Sequence, residues 1–409
     1  MGRTNFRFVT AISAVLLFAL SSCGTPALAG PSSPAVPAAT EPLFVTAPPS
    51  PSDTLPSATA TLTPTSLPTP SVTALQDNDL QRQIDQQASW FLGQNRNPGL
   101  GVSVVVRNKQ TGQLQEMLLN YGDIGKGSSQ LVTSDTVYEI GSITKVFTGI
   151  LLAEAADSGA VQLTDPIQKY LPPGIQAPSY GDVQITLADL ATHHSSLPRD
   201  INTDGIPDMY DWLNGFQLNR APGTEYVYSN VGYSLLGDML ARMAGSDFNT
   251  LEFQSVSQPL GLMDTREVLT ADETGRQALG YDYDGSLADY FPDSGAMSSA
   301  GYMRSTLNDM TRFLVDNMQP GSTPLGDAMQ LAQTLQAPGP NPATGVGLGW
   351  EIANLGTTDE RLYKGGGTNG FTSYISFMRD GSYGFVLLSN GMYIENLVPH
   401  MLGIMNSVR

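Results

Sequence analysis

Ser142 and Lys145 stand three residues apart in the run YEIGSITKVFTGILL, which begins at Tyr138. A serine is a weak nucleophile at neutral pH and needs a base within hydrogen-bond reach. Side chains at this spacing share one face of a helix and can meet. The apolar residues that follow predict a buried helix, and burial lowers the pKa of a lysine by disfavouring its charged form. The pattern predicts a nucleophilic Ser142 served by Lys145, although Ser-x-x-Lys also occurs by chance as a helix cap followed by an ordinary lysine.

Two further motifs follow this pair along the chain. Tyr228-Ser-Asn230 lies in the run PGTEYVYSNVGYSLLG, and Lys364-Gly-Gly366 lies in the run YKGGGTNGF. Three motifs in this order resemble those of the penicillin-recognising serine hydrolases, a family of class C β-lactamases, D,D-carboxypeptidases and related esterases. The resemblance covers roughly residues 95–408, and the Tyr-x-Asn form of the second motif is that of the class C and D,D-carboxypeptidase branch.

The resemblance implies catalytic roles for three residues. Ser142 is then the nucleophile that accepts the acyl group, while Lys145 and Tyr228 share the proton transfers. Which of these two is the general base stays open, because the pair is expected to titrate as a unit. Nearby lysines should lower the pKa of Tyr228, since positive charge favours the phenolate.

The same resemblance implies a substrate-binding set, namely Asn230, Lys364, Gly366 and Gly367. Asn230 would hydrogen-bond the substrate amide and orient Lys145, and Lys364 would hold a substrate carboxylate and bias Tyr228. The two glycines would leave room for substrate along a strand edge, with the N–H groups of Ser142 and Gly367 as the oxyanion hole. Gly365 departs from the β-lactamase pattern, in which a Thr or Ser hydroxyl stands at this position.

Hydrophobic periodicity predicts an α+β fold with terminal strands and a helical middle. Strands are predicted at 101–107, 115–121, 347–353, 372–378 and 383–389, a first helix from Asp79, and a closing helix at about 394–407. The resemblance implies the β-lactamase/transpeptidase-like fold, an antiparallel five-stranded sheet flanked by helices beside an all-helical subdomain. The active site would lie in the seam between the two.

The N-terminus predicts export and anchoring. Arg3 and Arg7 precede an apolar stretch that ends in Leu20-Ser-Ser-Cys23, which resembles a bacterial lipobox. Residues 1–22 are interpreted as a signal peptide, 23–78 as a lipidated Cys23 followed by a disordered linker, and 79–409 as the hydrolase domain. Cleavage after Ala29 is the alternative and would release a soluble enzyme. The expected location is therefore the bacterial cell envelope, on its periplasmic face or cell surface.

Composition supports the linker and excludes some partners. Residues 31–77 hold 11 of the 28 prolines and no Lys, Arg or Gly, so they bury too little apolar surface to fold. Where extended, such a segment rises about 3.1 Å per residue and reaches on the order of 150 Å. A formal charge of −18, with only 20 Lys and Arg, argues against nucleic-acid binding.

No cofactor is implied, and no metal site is expected. His193-His194 has no third ligand at a suitable spacing and is interpreted as a structural turn after a helix. The Asp200–Asp211 segment resembles the start of a calcium loop but carries Asp where the last ligand is normally Glu. An acidic turn is the commoner outcome of such a segment, and calcium binding stays open.

The motifs together predict a lipid-anchored serine hydrolase that acts through an acyl-enzyme. The favoured substrate is a D-alanyl peptide or a related carboxylate-bearing amide, as for a D,D-carboxypeptidase. A class C-like β-lactamase and a broad carboxylesterase are the alternatives within the family, since fold and motifs do not separate them. A non-catalytic penicillin-sensing or wall-binding protein is the alternative from another class, and the intact motif residues argue against it. The oligomeric state is not predicted.

Overall fold

A computed structural model describes residues 72–95, 98–201, 209–291 and 298–409. The predicted signal peptide, Cys23 and nearly all of the proline-rich linker lie outside these ranges, as does most of the acidic Asp200–Asp211 segment. No helix in the described part of the chain is long and apolar enough to cross a membrane.

The strands belong to one large sheet and two small ones. The large sheet is mixed and has the order β1-β3-β2-β13-β12-β11-β10-β9-β8. The strand bounds are β1 (Thr73–Ala74), β2 (Gly99–Arg107), β3 (Leu114–Gly122), β4 (Val137–Glu139), β5 (Ser179–Tyr180), β6 (Val183–Gln184), β7 (Arg304–Thr306), β8 (Ala337–Pro338), β9 (Thr344–Val346), β10 (Glu351–Ala353), β11 (Arg361–Gly367), β12 (Thr372–Met378) and β13 (Tyr383–Ser389).

Five long strands form the antiparallel centre of the large sheet, in the order β3-β2-β13-β12-β11. The predicted fold class is therefore confirmed, although the strand count differs. Short strands extend both edges, and β1 pairs with β3 in parallel. The predicted strand at 347–353 is wrong for residues 347–350, because Gly349 adopts a φ of +85° and turns the chain between β9 and β10.

Helices cover both faces of the sheet and fill the middle of the chain. Their bounds are α1 (Asn78–Asn95), α2 (Thr144–Asp157), α3 (Leu187–Ala191), α4 (Met209–Gly215), α5 (Asn230–Met243), α6 (Phe248–Glu252), α7 (Gln258–Leu260), α8 (Ala271–Gly275), α9 (Ser298–Gly301), α10 (Leu307–Met318), α11 (Gly326–Gln333) and α12 (Val398–Val408).

The two faces of the sheet have separate cores. On one face, apolar residues of α1 and α12 such as Ile84, Phe91 and Met401 pack against β2 and β13. On the other face, α2 and α10 share a core in which Phe147 and Phe313 stack with ring centroids 4.3 Å apart. Burying apolar surface in this way is the main favourable contribution to folding. The second core fixes α2, the helix that follows Ser142.

Candidate active site

A tight turn places Ser142 against the end of β11. Gly141, with a φ of +51°, begins a 3₁₀ turn over Gly141–Ile143 that leads into α2. A Cβ at Gly141 would lie 2.5 Å from the backbone nitrogen of Gly367, so the two segments touch only because residue 141 is a glycine. The N–H groups of Ser142 and Gly367 consequently belong to adjoining segments, as an oxyanion hole requires.

Lys145 is completely buried beside Ser142, as the sequence predicts for its helix. Its Nζ lies 3.2 Å from Ser142 Oγ and donates hydrogen bonds to Asn230 Oδ1 at 2.7 Å and to the carbonyl of Ala300 at 2.6 Å. Burial lowers the pKa of Lys145 to about 8, and the nearby charge of Lys364 acts in the same direction. A proton on this amine is therefore held weakly enough to move near neutral pH.

Tyr228 contacts the same serine oxygen from another element. Its hydroxyl donates to Ser142 Oγ at 2.7 Å. Burial of the phenol opposes ionisation, but the charges of Lys364 and Lys145 together outweigh it and lower the pKa of Tyr228 to about 8. This is the direction the sequence predicts from two neighbouring lysines. Ser142 thus faces two groups that exchange protons in the same pH range, which makes them one coupled unit.

The position of Tyr228 depends on the cap of α5. Ser229 is the N-cap residue, and its hydroxyl accepts a hydrogen bond from Gly232 N–H at 2.9 Å. The N–H of Ser229 donates to His193 Nδ1 at 3.0 Å, and the His193 ring lies 4.3 Å from that of Tyr228. His193 adopts a φ of +63° in the turn after α3. Burial holds its pKa well below the ordinary value, so the neutral ring acts as a hydrogen-bond acceptor.

The structure gives His193 a positioning role, and no further metal ligand joins the histidine pair in the described part of the chain. His194 is also buried, with Nδ1 2.8 Å from the carbonyl oxygen of Thr192. Among the described residues, no group of three or more His, Cys, Asp or Glu side chains is arranged to hold a metal ion. The calcium hypothesis concerns Asp200–Asp211, of which residues 202–208 are not described.

Lys364 is buried behind Tyr228 and bound to a carboxylate. Its side chain is 1% exposed, and its Nζ lies 2.9 Å from Glu351 Oε1. The same nitrogen lies 5.1 Å from the centre of the Tyr228 ring. Burial opposes the charge on Lys364, but Glu351 outweighs burial and raises the pKa of the lysine. Lys364 therefore supplies a permanent positive charge to Tyr228, while its ammonium already has an anionic partner.

The edge of β11 near Ser142 is open. Strand β10 pairs only with Arg361–Tyr363, whereas β12 pairs with the whole of β11. Within the described ranges, Lys364–Gly367 thus has no neighbouring strand on its outer edge, which leaves backbone groups for an extended peptide. A Cβ at Gly366 would collide with the carbonyl oxygen of Ile140, so this glycine is needed for close packing, while a Cβ at Gly367 would meet open space.

The structure therefore brings every residue of the three motifs to one place. It also adds Glu351 and Arg199, which sequence reasoning missed, and Asp200, which the sequence analysis considered only as part of a possible calcium loop. Asp200 Oδ1 accepts a hydrogen bond from Asn230 Nδ2 at 2.8 Å, which completes a chain from Asp200 through Asn230 to Lys145. The guanidinium carbon of Arg199 lies 4.9 Å from the centre of the Tyr228 ring. No motif spacing marks Glu351 or Arg199, since each is a single charged residue in a short strand or a loop.

A buried lysine and a tyrosine that share one serine oxygen beside a β-strand edge are the arrangement of an activated serine nucleophile, typical of serine hydrolases. Residues 79–401 match the Beta-lactamase family, and the chain belongs to that family. It is a serine hydrolase of the β-lactamase/D,D-peptidase group, as its motifs predict.

The chain is similar to proteins that are named as a carboxypeptidase, a beta-lactamase and protein flp. The chain is 29% identical over 301 residues to the D-alanyl-D-alanine-carboxypeptidase/endopeptidase AmpH of Escherichia coli K12, covering 67% of this chain and 76% of that protein. It is 28% identical over 353 residues to a beta-lactamase of Pseudomonas fluorescens, covering 77% of this chain and 94% of that protein. It is also 28% identical over 342 residues to protein flp of Staphylococcus aureus N315, covering 79% of this chain and 66% of that protein.

Proposed function

We propose that the protein is a D,D-carboxypeptidase-like hydrolase that cleaves D-alanyl peptides or related carboxylate-bearing amides. The observation that carries this proposal is the open edge of β11 beside Ser142, where Lys364–Gly367 lacks a strand partner among the described residues. An extended peptide binds such an edge through its own backbone. The name of the Escherichia coli relative, a carboxypeptidase and endopeptidase, supports the same substrate class.

In the proposed reaction, Ser142 Oγ attacks the carbonyl carbon of the scissile amide. The serine proton passes to the coupled Lys145–Tyr228 pair, whose pKa values of about 8 suit proton transfer near neutral pH. The N–H groups of Ser142 and Gly367 bind the oxyanion of the tetrahedral intermediate. The pair then returns the proton to the leaving amine as the C–N bond breaks. Water repeats these steps on the ester and releases the acid and free Ser142.

Asn230 is proposed to serve two groups at once. Its Oδ1 accepts from Lys145 Nζ, and its Nδ2 donates to Asp200. When substrate binds, Asn230 Nδ2 would donate to a substrate carbonyl instead of Asp200. The Asn230 side chain then keeps both of its hydrogen bonds, and the scissile carbonyl lies beside Ser142. Held in this way, Lys145 keeps its nitrogen pointed at the serine during turnover.

A β-lactamase is the second candidate, favoured by the Pseudomonas fluorescens relative. Gly365 argues against it, because β-lactamases usually carry a hydroxyl residue between the Lys and Gly of this motif. A broad carboxylesterase is the third candidate and needs no anionic group on the substrate.

One parallel assay distinguishes these candidates. The purified protein is given a D-Ala-D-Ala peptide, a chromogenic cephalosporin and a short-chain neutral ester, and kcat/KM is measured for each. The proposal predicts the highest value for the peptide, with the cephalosporin forming a slowly released acyl-enzyme. Rapid repeated turnover of the cephalosporin identifies a β-lactamase instead, and a dominant ester activity identifies an esterase.

We also propose that the protein is exported and held at the cell envelope by lipid on Cys23. The lipobox-like run and the single cysteine of the chain support this reading. A linker with a reach on the order of 150 Å would let the tethered domain reach a wall polymer. A membrane anchor and a peptide substrate from the wall thus agree with each other.

A further inference from the structure

Three cations surround Tyr228, and they differ in their access to solvent. The ammonium groups of Lys145 and Lys364 belong to side chains that are 0% and 1% exposed. The side chain of Arg199, by contrast, is 67% exposed, although its guanidinium carbon lies 4.9 Å from the centre of the Tyr228 ring. Of these three cations, Arg199 is the one whose side chain is open to solvent and to a ligand arriving from it.

The backbone of Arg199 is fixed to the second motif. Its carbonyl oxygen accepts hydrogen bonds from the N–H groups of Asn230 at 2.8 Å and Val231 at 3.4 Å, at the start of α5. These contacts tie residue 199 to the same helix end that positions Asn230. The backbone of Arg199 therefore stands at a defined place relative to Tyr228 and Ser142, with the guanidinium within reach of the site.

The partner of Arg199 is weak enough to be displaced. Its Nε lies 3.4 Å from Asp200 Oδ2, and the Asp200 side chain is 53% exposed. Exposed ion pairs of this kind contribute little, because water screens them. Lys364, in contrast, is buried with Glu351 at 2.9 Å. A substrate carboxylate can thus replace water and Asp200 at Arg199 without breaking a buried ion pair.

We propose that Arg199 recognises a carboxylate on the substrate and sets a preference for anionic substrates over neutral ones of the same shape. A guanidinium suits this task, since its planar fork matches a carboxylate with two parallel hydrogen bonds. The proposal deepens the proposed function and rests on it only for Ser142 chemistry. Lys364 then acts on Tyr228 rather than on the substrate.

The test compares two 4-nitrophenyl esters that differ in one group. The first is the monoester of glutaric acid, which carries a free carboxylate, and the second is its carboxamide analogue. The ratio of their kcat/KM values is measured for the full-length protein and for Arg199→Gln and Arg199→Lys. Because both esters meet the same preparation, the ratio does not depend on how much of a variant is folded. A D-Ala-D-Ala peptide and its C-terminal amide form a second pair.

Arg242→Gln provides the matched control. Arg242 is an exposed residue in the last turn of α5. It stands twelve residues after Asn230, which is about 18 Å along a helix at 1.5 Å per residue. The substitution removes the same charge at the opposite end of α5 from the Arg199 carbonyl, away from the site, so it separates the local effect of Arg199 from the effect of net charge.

The proposal predicts that the native protein prefers the carboxylate ester and that Arg199→Gln lowers the ratio by about two- to fivefold, as for loss of a solvent-screened ion pair. Arg199→Lys should restore part of the ratio, and Arg242→Gln should leave it unchanged. The preference should also weaken as salt rises. A native protein without preference, or an Arg199→Gln ratio equal to the native one, overturns the proposal. If Arg199→Gln lowers the ratio of the two esters but the protein cleaves neither peptide, the role of Arg199 is supported. Only the peptidase proposal is then refuted.

Discussion

Lys364 Nζ lies 2.9 Å from Glu351 Oε1 and 5.1 Å from the centre of the Tyr228 ring. The carboxylate keeps the buried lysine charged, and the charged lysine in turn favours the phenolate form of Tyr228. Glu351 does not contact Ser142, but through Lys364 and Tyr228 it contributes to activation of the serine.

This relationship predicts the pH dependence of the enzyme. In the native protein, kcat/KM for a neutral ester should rise as the pH increases through about 8, because deprotonation of the Lys145–Tyr228 pair produces the base. Lys364→Met removes a positive charge that lowers the pKa values of both groups. The rising limb should therefore move to higher pH, which a pH series of kcat/KM measures directly.

The control is the double variant Lys364→Met with Glu351→Gln. A buried carboxylate left without its partner is itself destabilising, and the second substitution removes that complication. The double variant should keep the alkaline shift. If the rising limb of the kcat/KM profile stays at the same pH, or moves to lower pH, Lys364 does not lower the pKa values of the Lys145–Tyr228 pair.

Of two neighbouring glycines in β11, Gly366 should be sensitive to an added methyl group and Gly365 should tolerate it. In Gly366→Ala, the Cβ meets the carbonyl oxygen of Ile140 and forces the strand away from the Ser142 turn. Overpacking of this kind costs about 1–3 kcal/mol, and activity should fall with stability. In Gly365→Ala, the nearest atom to the Cβ is Tyr374 Cδ2 at 3.7 Å, an ordinary contact.

Urea unfolding of both variants measures the difference. The free energy of unfolding of Gly365→Ala should stay within about 0.5 kcal/mol of the native value, as for substitutions that avoid such features. Equal stability of the two alanine variants would mean that Gly366 is not required for the close approach of β11 to residue 140.

Much of this arrangement follows from the sequence. The strands predicted at 101–107, 372–378 and 383–389 coincide with β2, β12 and β13 to within two residues. The Ser142–Lys145 spacing predicts their contact, and burial of α2 predicts the low pKa of the lysine. The three motifs also indicate which distant segments meet, although spacing alone does not show how they approach one another.

Other parts depend on tertiary contacts that carry no local pattern. Strands β8, β9 and β10 have only two or three residues each, too few for an alternating pattern to stand out. Glu351 pairs with Lys364 only because β10 aligns Glu351 opposite Tyr363. Arg199 reaches Tyr228 through the hydrogen bonds between its carbonyl and the start of α5. The role of Gly366 likewise depends on the position of Ile140.

Anchoring at Cys23 is tested by cell fractionation. Cys23→Ser should move the protein from the membrane fraction to the soluble one, because the lipid chains bury CH₂ groups at about 0.8 kcal/mol each. The mature N-terminus of the native protein should be a modified Cys23. A mature N-terminus at Gly30, or unchanged fractionation of the variant, would reject the lipoprotein proposal.

The central claim is that Ser142 carries the acyl group, and mass spectrometry of the labelled protein tests it most directly. The native protein, treated with a penicillin or a serine-reactive phosphonate, should gain one adduct on the peptide that contains Ser142. Ser142→Ala should gain none and should lose hydrolysis to background, because the hydroxyl forms the bond. Ser129→Ala, which changes an exposed serine, should label like the native protein. An adduct on another residue, or comparable hydrolysis by Ser142→Ala, would contradict the account.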